Sequence, residues 1–107
     1  MFFDASLVLN QLTQSSIAGA GRLKCIIGAS NFVYSKKDSF VQFKFMCGAK
    51  NNANNIRITL NNKNLYDVEF FTIRKLDEKN VKGVFNDVHA DMLFDLFEKE
   101  TDICLTV

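Results

Sequence analysis

The stretch that most restricts this chain is Asn55-Ile56-Arg57-Ile58-Thr59-Leu60. Successive side chains of an extended backbone point to opposite faces, so Ile56, Ile58 and Leu60 share one side and Arg57 and Thr59 the other. A helix would scatter both sets around its circumference. The alternation therefore predicts a strand with one apolar and one polar face. Asn61-Asn62-Lys63-Asn64 follows, and asparagine both tolerates left-handed backbone and bonds its own main chain, which predicts a turn. Leu65 to Arg74 then resumes with β-branched and aromatic residues. Together the two runs make a hairpin.

Phe40 to Met46 repeats the pattern, with Val41, Phe43 and Phe45 opposite Gln42 and Lys44, and is expected in the same sheet. Leu65 to Arg74 carries apolar residues on both sides. Tyr66, Val68 and Phe70 share one face, while Leu65, Phe71 and Ile73 share the other with Asp67 and Glu69, as in a central strand covered on both sides at one end. Arg22 to Ile27 and Phe32 to Ser35 predict two short strands interrupted by a bulge or turn at Gly28-Ala29-Ser30-Asn31, and Lys36-Lys37-Asp38 makes the next turn. Val81 to Phe85 predicts a further short strand, and Ile103, Leu105 and Val107 alternate as an edge strand would.

Two segments have helical spacing instead. Asp4 is placed to cap a helix over Ala5 to Thr13, with Leu7, Val8, Leu9 and Leu12 apolar and Phe3 and Val8 spaced as a hydrophobic staple. The small, polar, glycine-containing run Gln14 to Gly21 ends it and reads as a mobile linker rather than a phosphate loop, since its G-x-G lacks a preceding strand and a following Lys-Ser/Thr. A C-terminal helix is expected from Asp87 or Ala90 to Lys99. Ala90, Leu93, Phe94 and Phe97 form its apolar stripe, Met92 and Leu96 widen it, and Asp87 and Asp91 sit where the macrodipole favours anions. The expected class is α+β: an antiparallel sheet of four to five strands with an N-terminal and a C-terminal helix packed on it, in one domain over residues 1–107.

Composition narrows the function classes. Eleven Phe among 48% hydrophobic residues are enough to offset the ordering entropy of 107 residues and predict a Phe-rich core. A formal net charge of +1 fits neither a basic nucleic-acid arm nor an acidic DNA mimic. The three cysteines, Cys25, Cys47 and Cys104, are odd in number and without C-x-x-C spacing, so they read as reduced, buried thiols of a cytoplasmic protein. A zinc site would need them to converge with the lone His89 from four segments and is not expected. Met1-Phe2-Phe3 runs into Asp4 with no basic stretch, and no apolar run approaches the ~20 residues of a membrane span, so neither a secretory signal nor a membrane anchor is expected. Catalytic signatures are also missing: there is no P-loop, no H-E-x-x-H, no nucleophile elbow and no Cys-His spacing. A non-enzymatic protein without cofactor is expected.

The binding candidates then lie on the polar side of the alternating strands and in the adjoining loops: Gln42, Lys44, Arg57 and Thr59 on the sheet, Lys50, Asn51 and Asn52 in the loop Cys47 to Asn54, and Lys63 in the hairpin turn. They suit a protein partner or, with an aromatic such as Phe40 or Tyr66 for stacking, a nucleic acid on a polar, mildly basic sheet face. Asp67 and Glu69, two apart on one face, have the spacing of an acid-base or metal pair. The expected use is cross-strand pairing with Arg57 and Lys44. Open sheet edges also allow a homodimer.

The segments Gly28-Ala29-Ser30-Asn31-Phe32-Val33, Ala49-Lys50-Asn51-Asn52, Ile56-Arg57-Ile58-Thr59-Leu60-Asn61, Leu65-Tyr66-Asp67-Val68-Glu69-Phe70 and Ala90-Asp91-Met92-Leu93 with Phe97-Glu98 and Thr101 follow one another along the chain. The series resembles a group of short proteins of tailed bacteriophages and prophages without a settled biochemical function. It covers nearly the whole chain. The chain departs in having His89 where the group has Tyr before the helix, and Thr101-Asp102-Ile103-Cys104 where it has Thr-Gly-Leu-Tyr, so a left-handed glycine cap is not expected. The resemblance implies a phage or mobile-element origin and no active site. Such a protein is expected to occupy a partner's surface, as an anti-CRISPR-like inhibitor of a host defence system does, or to serve in phage assembly as a small homo-oligomer.

Overall fold

A computed structural model describes residues 5–13, 28–45, 53–73 and 79–101. In chain order they form α1 (Ala5–Thr13), β1 (Ser30–Ser35), β2 (Phe40–Lys44), β3 (Asn55–Leu60), β4 (Tyr66–Ile73), β5 (Lys79–Val88), a 3-10 turn (Ala90–Met92) and α2 (Leu93–Thr101). The fold is α+β, as expected. The strands make one five-stranded sheet in the order β1-β2-β3-β4-β5, each antiparallel to its chain neighbour.

The alternation that defines β2 and β3 sends Val41, Phe43, Ile56 and Ile58 to one face, where they are buried with Phe45, Tyr66, Val68 and Phe70. Val8, Leu9 and Leu12 of α1 and Leu93 and Phe97 of α2 close over that face. Phe97 meets Phe45 edge-on at 5.6 Å between ring centroids and lies 6.2 Å from Phe70, so one aromatic ring ties α2 to β4 and to the residue that follows β2. The Tyr66 hydroxyl donates to Gln11 Oε1 at 2.9 Å. Tyr66 is thus a core residue bonded to α1, and its ring is not the stacking platform the sequence suggested.

The hairpin turn forms as the asparagine run predicts. Asn61 Oδ1 accepts from the backbone N–H of Lys63 at 2.9 Å and of Leu65 at 3.2 Å, and Asn64 takes the left-handed conformation with φ 58°. The bulge expected near Gly28 to Asn31 lies between Ser30 and Val33, with φ 64° at Gly28 and 55° at Asn31. β5 departs most from expectation. It runs ten residues instead of the five of Val81 to Phe85, with register shifts opposite Phe70/Phe71 and opposite Tyr66/Val68. Each shift admits an extra residue and breaks the alternation that a sequence reading relies on. Asp87, expected at the helix start, sits in the second bulge with φ 57°, and the helical segment begins after His89. The expectations for Arg22 to Ile27, Gln14 to Gly21, the tail Ile103 to Val107, the staple and cap at Phe3 and Asp4, and the three cysteines lie outside the described residues.

Candidate functional site

With the helices on one face, the other face of the sheet carries the polar set. Its register lines up one residue from every strand: Val33 opposite Gln42, Gln42 opposite Arg57, Arg57 opposite Glu69 and Glu69 opposite Val84. The row reads valine, glutamine, arginine, glutamate, valine. The two valines, at the two edges of the sheet, are 50% and 53% exposed. Strands lie about 4.8 Å apart, so each valine is roughly 10 Å from Arg57.

Arg57 is held flat. Its guanidinium carbon lies 4.4 Å from the centroid of the Phe40 ring, and its Nε donates to Gln42 Oε1 at 2.9 Å. Glu69 pairs with Lys79, which also lies 4.8 Å above the Phe71 ring. The expected pairing of the two strand carboxylates with Arg57 and Lys44 is therefore corrected. The sequence reading missed Lys79 because it placed that residue before the strand. Asp67 Oδ1 accepts from Asn61 Nδ2 at 3.0 Å and from the backbone N–H of Asp87 at 3.1 Å. Both carboxylates are answered within the sheet. The Nη groups of Arg57 and the ammonium of Lys44 have no partner among the described residues.

The structure brings four of the expected contacts together, Gln42, Lys44, Arg57 and Thr59, with Phe40 beside them. Lys63 stands apart in the β3–β4 turn, where its Nζ lies 3.1 Å from Asp87 Oδ2, and Lys50, Asn51 and Asn52 lie outside the described residues. The face is closed at one end, where Asn55 and Phe71 are buried at 5% and 1% exposure. Its middle holds a shallow depression of about 240 Å3 bounded by Arg57, Thr59, Glu69, Lys79 and Val84. Val33, Val84 and Lys79 belong to the site and were not named from the sequence. Alternation alone assigns β3 residues to a face, whereas these three require the cross-strand register, which depends on bulges.

A larger groove of about 590 Å3 runs between β5 and the helical segment Ala90 to Thr101, lined by Phe85 and Val88 on one side and Met92 and Leu96 on the other. Asp87, His89, Asp95 and Lys99 rim it with both signs of charge. Among the described residues no three His, Cys, Asp or Glu side chains converge as metal ligands. No helix there is long and apolar enough to cross a membrane. No family model, curated protein or solved structure matches the chain. The chemistry of the face must carry the functional reading.

Proposed function

We propose that this protein is a non-enzymatic accessory protein of a phage or mobile element, and that it acts by laying the open face of its sheet on a protein partner. The observation that carries the reading is the five-strand row: an ordered arginine at the centre, polar side chains beside it and an exposed valine at either end. Arginine and aromatic anchors surrounded by apolar contact dominate the energetics of protein interfaces. Arg57 is ordered by Phe40 and Gln42 before any partner arrives, which lowers the entropy cost of using it. The likeness of the ordered segments to short phage proteins supports a phage origin, and with it an inhibitory role against a host defence system.

A nucleic acid fits the same face less well. A phosphate chain across the row would pass Glu69, and one shifted toward the hairpin turn would pass Asp67; either breaks the continuous basic track on which non-specific binding depends. The test is recovery of partners from host-cell lysate by the tagged protein, with and without nuclease. A protein partner is expected to survive nuclease and to be lost with the double substitution Val33→Lys and Val84→Lys, while Lys37→Ala in the β1–β2 turn retains it. Recovery that vanishes on nuclease treatment, or that ignores the two valines, would overturn the proposal.

A further inference from the structure

We infer that the partner presents a carboxylate, from an aspartate or glutamate, to the Nη edge of Arg57. This rests on the sheet face being the binding surface and specifies the chemistry that the face selects. Glu69 stands directly opposite Arg57 in the β3–β4 register, the position at which a cross-strand ion pair ordinarily forms. Its carboxylate is committed to Lys79 instead. Asp67, one row away, is committed to Asn61 and to the backbone of Asp87. The anions of the face are consumed internally, and what remains without a described partner is cationic: the Nη groups of Arg57 and, at the next β2 position on this face, Lys44.

The geometry selects among anions. With Nε donated to Gln42 and one side of the plane against Phe40, the edge of the guanidinium still available is the parallel pair of Nη donors. That fork matches the two oxygens of a carboxylate or of a phosphate. The surroundings separate these two. Valines stand about 10 Å to either side along the row, and Glu69 and Asp67 stand together on the β4 side of the arginine, so a single negative charge among apolar side chains is admitted and a run of phosphates crossing β4 is repelled. The occupant is an acidic residue with apolar neighbours on a protein surface.

A random-peptide library, selected in parallel on the protein and on Arg57→Lys and Arg57→Gln, reads this directly. The expected consensus on the unaltered protein is Asp or Glu between apolar residues. Replacing that acid by its amide in the selected peptide is expected to weaken binding by about tenfold or more, and Arg57→Lys to do the same at unchanged net charge because lysine offers no fork. Amide spectra should show the peptide shifting Gln42, Arg57, Val33 and Val84. A consensus without an acid, an acid indifferent to both variants, or no enriched sequence at all overturns the carboxylate. Where a peptide is selected but lacks the acid or is indifferent to the variants, and its shifts still map to Val33 and Val84, the face remains the binding surface and only the carboxylate fails. Shifts elsewhere, or displacement of the peptide by an equimolar oligothymidylate, sink both.

Discussion

The Asn61 side chain joins the β3–β4 turn to the far end of β5. Its Oδ1 accepts from two backbone N–H groups of its own turn, and its two Nδ2 hydrogens go to Asp67 Oδ1 at 3.0 Å and Asp87 Oδ1 at 2.8 Å. Asn61→Ala strands both donors and acceptors at once and is expected to cost about 1–3 kcal/mol in urea unfolding, against at most about 0.5 for Asn62→Ala on the exposed turn. Asn61→Asp keeps the acceptor but sets a third carboxylate against two. It should be the worse variant, and its deficit should shrink with added salt as the repulsion is screened. A smaller loss for Asn61→Asp than for Asn61→Ala would show that the Nδ2 bonds matter little. The sequence made the turn legible through its asparagines, since that preference is local. The bond to Asp87 was not legible, because it depends on a bulge in a strand that pairs only after the turn has formed. Ser39 is a second case. It holds φ 57° with no favourable side chain for it, while its carbonyl accepts from Leu60 N–H at 2.8 Å, so Ser39→Gly is expected to stabilise by about 0.5–1 kcal/mol in the same assay.

At the scale of elements, the clean strands β2 and β3 and both helices were legible because period 2 and period 3.6 are written in contiguous residues. β5 was not. Its two bulges put Lys82 and the Asn86-Asp87 pair out of phase, so only its middle alternates. Gly83 accounts for how that middle packs. It lies opposite Phe70 on the core face, and a Cβ added there would stand 3.2 Å from Phe85 Cε2, so the Phe85 ring leans over the missing side chain and meets Phe70 edge-on at 6.1 Å between centroids. An aromatic ring covering a strand glycine is a known device for holding register. Gly83→Val should push the ring off Phe70 and cost about 1–3 kcal/mol through overpacking, visible as a lower urea midpoint and as shifted Phe85 ring resonances. Should the midpoint hold and the ring resonances stay in place, the ring is not pinned and the packing account fails. The same bulges, with Lys79 and Lys82, blunt β5 as an edge for pairing with a second copy.

Across the whole molecule, the sheet divides stability from recognition. The helix-covered face holds the buried aromatic cluster, and Phe97 is fully buried against Phe45, just past β2, and Phe70 of β4. Phe97→Ala is expected to cost about 3–5 kcal/mol, a large part of the roughly 5–15 kcal/mol that holds a domain together. Circular dichroism and tyrosine fluorescence should lose structure in one transition, because α1, α2 and the strands share that core. The open face has the opposite character. Arg57 is half-buried, Val84 is exposed, and neither contributes to the cluster. Arg57→Gln and Val84→Lys are therefore expected to leave the unfolding free energy within about 0.5–1 kcal/mol of the unaltered protein while weakening partner capture. Phe97→Ala should behave in reverse at low temperature: whatever fraction remains folded still binds. If Val84→Lys unfolded the protein as severely as Phe97→Ala, the row of Val33, Gln42, Arg57, Glu69 and Val84 would be part of the scaffold, and the surface on which the proposed function depends would have to be sought in the groove beside α2.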